Sequence, residues 1–308
     1  MSQTETQSAH ELFPTIHADL AEIEARLRRT VHSRLPVVPE VYLHTVHAGG
    51  KRVRPALTLL CGRLVGEANE ATFDAAVAVE LIHLASLIHD DVIDDSGRRR
   101  ARLTANRVWG NKNAVLVADF THAVAYRLLT QRCSVDTVAR LSGTVVRMCE
   151  GELSQMYNEG SFEVTEPLYF DMIADKTASL MALAAEFGAL TAGGSAAQNA
   201  ACAAYGQKVG LAFQIVDDLL DLTGDEERIG KPVGNDVRCG RLTLPLIHAL
   251  TQPAELADPV RGLLSAQPIT TESIHALRDA LEASGSLAYT AATAQRLAAE
   301  ASAQTSLQ

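Results

Sequence analysis

The chain has 308 residues, 47% apolar and 21% charged, and its 27 basic and 37 acidic groups give a formal charge of −10. That balance allows a sizeable core in one or two domains and argues against a nucleic-acid partner, for which a basic domain is expected. Cys61, Cys133, Cys149, Cys202 and Cys239 are scattered with no C-x-x-C, so neither a disulfide framework nor a structural zinc site is suggested, and a reducing cytoplasm is the expected compartment.

The first ten residues are polar and read as a disordered tail without the basic and apolar regions of a signal peptide. From Glu11 to Arg29, Leu12, Ile16, Leu20, Ile23 and Leu27 recur at spacings of three and four, the signature of an amphipathic helix. Pro36 and Pro39 precede a second helical segment, Glu40 to Ala48. The Gly49-Gly50 turn leads through Lys51-Arg52-Val53-Arg54-Pro55 to a third, Ala56 to Leu64. Asp74 to Asp95 is apolar on most of its surface until its acidic end, which predicts a helix buried nearly all round. Its apolar run, Ala75 to Ile88, is too short to span a bilayer.

Further helical patterns cover Ala114 to Leu129, Ser134 to Tyr157, Pro167 to Thr191 and Ala196 to Leu222. A long polar loop follows from Gly224 to Gly240, then a helix at Thr243 to Leu250 and two or three more. Strand-like alternation is almost absent, and no linker or composition shift divides the chain. The expectation is an all-α fold with one domain over residues 11–308, and no membrane span.

One sequence pattern occurs twice. Leu84 to Asp94 and Leu211 to Asp221 both fit L-A-x-x-I-x-D-D-x-x-D, each an apolar run ending in three carboxylates: Asp90, Asp91 and Asp94, then Asp217, Asp218 and Asp221. On a helix the first and last acid of each set stack one turn apart, where like charges repel. A hard dication relieves that repulsion, and oxygen ligands without His or Cys suit Mg²⁺. Such ions bind a polyphosphate and stabilise it as a leaving group. Cations for a diphosphate are present in the glycine-rich segments: Lys51, Arg52, Arg54, Arg98, Arg99, Arg100, Lys231 and Arg241.

Around these acids lie G-G-K-R-V-R-P (Gly49 to Pro55), E-L-I-H (Glu80 to His83), R-R (Arg99-Arg100), E-G-E-L-S-Q (Glu150 to Gln155), K-T-A (Lys176 to Ala178), G-K-P-V-G-N-D (Gly230 to Asp236) and R-L-T-L-P (Arg241 to Pro245). In this order they resemble the trans-isoprenyl (polyprenyl) diphosphate synthases, of medium- or long-chain type. The resemblance implies a single bundle of antiparallel helices around a central cavity, as a homodimer. It implies head-to-tail condensation of isopentenyl diphosphate with an allylic diphosphate primer, farnesyl or geranylgeranyl diphosphate. About three Mg²⁺ ions, with Mn²⁺ able to substitute, would be held by Asp90, Asp91, Asp94 and Asp217, with Asp218 and Asp221 in support.

The resemblance also implies that Arg99, Lys176, Lys231 and Arg241 contact the allylic diphosphate, and that Lys51, Arg52, Arg54, His83 and Arg100 hold that of isopentenyl diphosphate. Thr177 and Gln214, with Lys176 and Lys231, would serve the reacting carbons. Four positions depart from the family pattern: Ala101 stands where Gly is common, Arg98 adds a charge, Arg241 replaces Lys, and Val124 replaces a basic residue. Many members carry a further C-terminal helix that would lie beyond the closing A-S-A-Q-T-S-L-Q.

A growing product would run along the helix that carries Asp90. Ala85 and Ser86 lie about 6 to 7.5 Å below the acid, and Ile82 and Val79 about 12 and 16 Å below. Both upper residues are small and no aromatic occurs from Asp74 to Asp95, so a product longer than geranylgeranyl is expected, with Phe120, His122 and Tyr126 as candidates for the tunnel floor. A geranylgeranyl or farnesyl synthase, a class I terpene cyclase and a non-catalytic subunit are the rival readings.

Overall fold

The computed structural model describes residues 12–99, 102–224, 233–266 and 268–304. The tail before Leu12, Glu11, Arg100, Ala101 and the Gly230-Lys231-Pro232 stretch lie outside them. The chain divides into two compact units, Met1–Val145 with Leu180–Gly206, and Val146–Ser179 with Gln207–Ser306.

Unit one opens with a short 3₁₀ turn (Pro14–Ile16) and helix α1 (His17–Thr30), whose Leu20, Ile23 and Leu27 are wholly buried. Each such side chain stabilises the fold by about 1.5–3 kcal/mol. Helix α2 (Val37–His47) starts three residues earlier than the sequence pattern suggests. Pro36 caps it and Pro39 sits in its first turn, where the N–H that proline lacks has no intrahelical acceptor to meet. Helix α3 (Val53–Val65) follows Arg52, whose φ of 47° is left-handed.

Helix α4 (Glu70–Ile93) is the spine of unit one. A capping box starts it: the Asn69 side chain accepts from the N–H of Thr72 (3.2 Å), and Thr72 Oγ1 accepts from that of Asn69 (3.2 Å). By length and composition α4 could cross a bilayer, but 72% of its most apolar window is buried in protein, as in a core helix.

A two-residue hairpin, β1 (Arg98–Arg99) and β2 (Arg102–Leu103), pairs Arg99 with Arg102 and is the only sheet among the described residues. Helices α5 (Ala105–Trp109) and α6 (Asn111–Leu129) follow. His89 meets Asp119 and Asp74 meets Arg132, so α6 runs antiparallel to α4. Helix α7 (Val135–Tyr157) starts in unit one and ends in unit two.

In unit two, α8 (Glu166–Ile173) runs into a π-helical turn at Ala174–Ala178. Helix α9 (Ser179–Thr191) continues from it and packs in unit one, where an added Cβ at Gly188 would collide with the Thr58 carbonyl of α3. Only glycine permits that crossing. Helix α10 (Ala196–Thr223) carries the second acidic triad, and the short α11 (Asn235–Arg238) comes next. Then α12 (Leu244–Leu250), α13 (Ala254–Ser265), α14 (Thr271–Ala283) and α15 (Ser286–Gln304) enclose two cores, one around Ile215, Leu244 and Ile247, the other around Val260, Ile274 and Leu281. The architecture is all-α, as the sequence pattern indicates.

Candidate active site

In unit one the first acidic triad ends α4. Asp90 and Asp94 are four residues apart and share a helical face, with Asp94 exposed. Asp91 points elsewhere. It is 5% exposed, and its carboxylate accepts from Arg99 Nε (3.0 Å) and Nη2 (2.9 Å) while Asn106 donates to its backbone carbonyl (3.0 Å). The hairpin that carries Arg99 is therefore tied to the end of the acidic helix. In this geometry the Asp91 carboxylate holds Arg99.

The Arg52 side chain is 2% exposed and all three guanidinium nitrogens are engaged. Nε meets Glu24 (2.5 Å), Nη1 meets Glu80 (2.9 Å) and Nη2 donates to the Val46 carbonyl (3.2 Å). Three of its five N–H donors are thereby engaged, in a side chain closed off from solvent. The opposite holds for Arg54, whose Nε is buried with no hydrogen-bond partner. Burial pulls the Arg54 pKa down, with Glu80 partly opposing it. A cation held this way is ready for an anion. Lys51 is exposed and His83 half-buried.

On α4, Val79, Ile82 and Ala85 have no accessible surface and are packed against other side chains; among the four chain-length candidates of this helix Ser86 alone is half-exposed. On α6, His122 and Tyr126 are four residues apart and share a face, whereas Phe120 lies two residues from His122 on nearly the opposite side. The three do not form one floor.

In unit two the second triad ends α10. Asp217 is exposed. Asp218 is 4% exposed and accepts from the Tyr169 hydroxyl (2.7 Å) and from Gln214 Nε2 (2.7 Å). Gln214 Oε1 in turn accepts from the Thr177 hydroxyl (2.8 Å), so a continuous chain runs Thr177–Gln214–Asp218–Tyr169. Burial pushes the Asp218 pKa up, with Asp217 and Asp221 adding to it and the two hydrogen bonds opposing it. The Asp221 carboxylate accepts from the backbone N–H of Asn235 (3.2 Å) and Asp236 (3.0 Å), which anchors α11.

Lys176 and Thr177 sit on the π turn. An added Cβ on Gly151 would lie 2.5 Å from the Lys176 backbone nitrogen, so α7 meets this turn through a glycine. Lys176 Nζ pairs with Glu152 (2.6 Å) and reaches Gln155 (3.3 Å), both from E-G-E-L-S-Q. π turns inside helices are frequent at functional sites because they re-aim side chains.

The Arg241 side chain is 12% exposed, Nε is held by Glu159 (2.9 Å) and Nη1 lies 4.0 Å from Asp236. It closes the segment after α11 onto the end of α7, where Gly160 N–H donates to the Gly240 carbonyl (2.8 Å).

Asp236 was quoted in a motif but given no task. Its pKa is pushed up by burial first, then by Asp218 and Asp221, with Arg241 opposing. Four carboxyls with one partly engaged arginine leave an excess of negative charge. The donors of both triads are oxygens only, so these residues fit a hard dication such as Mg²⁺ or Mn²⁺. Tyr169 was missed altogether; no local pattern announces a partner 49 positions from Asp218. Glu152 and Gln155 could have been found, since they lie in a quoted motif one helical turn apart. Lys231 and Arg100 lie outside the described residues.

Comparisons with known proteins follow the same lines. The octaprenyl diphosphate synthase of Haemophilus influenzae is 36% identical over 250 residues, 81% of this chain and 76% of that protein. Component 2 of the heptaprenyl diphosphate synthase of Bacillus subtilis is 38% identical over 240 residues, 78% of this chain and 69% of that one. A Caulobacter crescentus polyprenyl synthase, crystallised with calcium and isoprenyl diphosphate, superposes with a TM-score of 0.87 at 35% identity, covering 96% of this chain and 91% of that chain. The family described as Polyprenyl synthetase matches residues 36–281. With both acidic triads, the K-T-A turn and the basic segment before α3 in place, the chain belongs to the polyprenyl synthetase family.

Proposed function

We propose that the chain is an all-trans polyprenyl diphosphate synthase that joins isopentenyl diphosphate head-to-tail to an allylic diphosphate, farnesyl or geranylgeranyl diphosphate, and makes a product longer than geranylgeranyl. The octaprenyl and heptaprenyl relatives support the product class. The observation that carries the reading is the pair of aspartate triads, each at the C-terminal end of a long helix, in a chain that also keeps a buried, unpartnered Arg54 Nε.

In this reading Asp90, Asp91, Asp94 and Asp217 would hold the divalent ions, about three Mg²⁺ with Mn²⁺ as a substitute. When bound, Mg²⁺ neutralises the charge that develops on the primer's diphosphate as it leaves. Asp218 and Asp221 are positioning residues, the first orienting Gln214 and the second anchoring α11. Arg99, steadied by Asp91, Lys176, steadied by Glu152, and Lys231 are assigned to the allylic diphosphate. Lys51, Arg54, His83 and Arg100 bind isopentenyl diphosphate.

Thr177 donates its hydroxyl hydrogen bond to Gln214 Oε1, which leaves the threonine oxygen lone pairs free to accept. Its lone pairs stabilise the allylic cation, and preorganised dipoles of this kind are the largest catalytic contribution in a site shielded from water. The double bond of isopentenyl diphosphate attacks the cation, and the proton lost from the new carbon skeleton goes to the departed diphosphate.

Residues 11–308 act as one functional domain, a reading supported by α7 and α10, which pass from one unit to the other within a single helix. A cytoplasmic homodimer completes the proposal. Leu116 in unit one and Leu153 and Met156 in unit two are exposed large apolar side chains suited to a second copy. The test is substitution of the acids: Asp90→Ala and Asp217→Ala should each abolish Mg²⁺-dependent condensation while the helical circular-dichroism signal remains. Turnover retained in both variants overturns the mechanism.

A further inference from the structure

Unit one holds a second group of ligand-type side chains, apart from the acidic triads. His89 lies on α4; Asp119 and His122 lie on α6, three residues apart and so on one face. One ring nitrogen of each histidine and one carboxylate oxygen of Asp119 lie within 4.8 Å of one another. His89 Nε2 is already 3.3 Å from Asp119 Oδ1. A tetrahedral ion with bonds of about 2.0–2.1 Å sets its ligand atoms roughly 3.3 Å apart, so one edge of such a site is preformed.

His122 supplies an independent sign. Its Nε2 is buried and has no hydrogen-bond partner. With the proton on Nδ1, Nε2 presents a lone pair to an ion, the form in which neutral histidine binds metal. The imidazole of His89 stands edge-on to it, with ring centroids 5.6 Å apart. Asp119 is 60% exposed, which opens a path from solvent and lets its carboxylate move onto an ion.

We propose that His89, Asp119 and His122 form a separate site for a first-row transition dication, Zn²⁺ above all, that staples α4 to α6 next to the first acidic triad. Two imidazoles and one carboxylate suit Zn²⁺, Co²⁺ or Ni²⁺, whereas the oxygen-only triads suit Mg²⁺. The three protein ligands leave a fourth position to water.

The test uses the full chain saturated with Mg²⁺, so that the carboxylate triads are filled, and titrated with Co²⁺ alone. One equivalent should produce the intense visible bands of four- or five-coordinate Co²⁺, and Zn²⁺ should displace them. His122→Ala should weaken binding by about tenfold or more and remove the bands. Should that variant lose its helical signal, Asp119→Asn, altered at an exposed position, should weaken binding in the same direction. Absence of the bands, thiolate charge-transfer bands in their place, or bands unchanged in both variants would overturn the site.

Discussion

The Tyr169 hydroxyl donates a 2.7 Å hydrogen bond to the buried carboxylate of Asp218, whose other oxygen accepts from Gln214. Both oxygens of that aspartate are thereby committed, and the acid acts through Gln214 and Thr177. Tyr169→Phe removes one donor and leaves the shape intact. It should lower the condensation rate by about 10- to 100-fold, the usual effect of losing such a supporting contact. It should also raise the Mg²⁺ concentration needed for half-maximal rate, with KM for isopentenyl diphosphate little changed. A Mg²⁺ titration of initial rates checks this, and wild-type rates at every Mg²⁺ concentration would contradict it.

Arg52 and Glu80 form an ion pair in which neither side chain exceeds 3% exposure. Removing one partner strands the other charge in the core, which costs about 3–5 kcal/mol. Arg52→Ala should therefore shift the urea midpoint strongly, while Arg54→Lys should leave the midpoint nearly unchanged and raise KM for isopentenyl diphosphate. Equal stability of Arg52→Ala and wild type would contradict this.

Gly151→Ala pushes a methyl group against the Lys176 backbone nitrogen. The π turn must shift or α7 must withdraw. Overpacking of this kind costs about 1–3 kcal/mol. The rate should fall further than stability does, because Lys176 and Thr177 both ride on that turn. Stopped-flow rates compared with thermal midpoints separate the two effects.

Chain length gives a paired test on α4. Ser86 is half-exposed and Ala85 has no accessible surface. Ser86→Phe should shorten the product with modest loss of stability. Ala85→Phe should instead destabilise the helix contacts by about 1–3 kcal/mol or more. Product separation by reversed-phase thin-layer chromatography reads the first outcome, and urea denaturation reads the second.

Much of this molecule is legible in its sequence. The helical periodicities place the long helices to within a few residues, because their buried faces repeat at 3.6. Asp90, Asp94, Asp217 and Lys176 could be picked out because each belongs to a local motif. The surroundings of other residues depend on contacts that no local motif shows. Arg52 reads as one more cation in a basic run, and only Glu24 and Glu80, each 28 positions away, turn it inward. Arg241 is redirected by Glu159 and Asp236. Ala85 is small, as a tunnel wall should be, but small residues equally let helices approach closely. Pro39 misled because proline is a helix breaker everywhere except the first turn.

The central claim is head-to-tail condensation to a long product. The most direct measurement incubates the protein with Mg²⁺, radiolabelled isopentenyl diphosphate and each allylic primer in turn, and separates the products by length. The account predicts label in a ladder of all-trans prenyl diphosphates ending beyond geranylgeranyl. No incorporation with any primer, or a hydrocarbon formed from the primer alone, would contradict it.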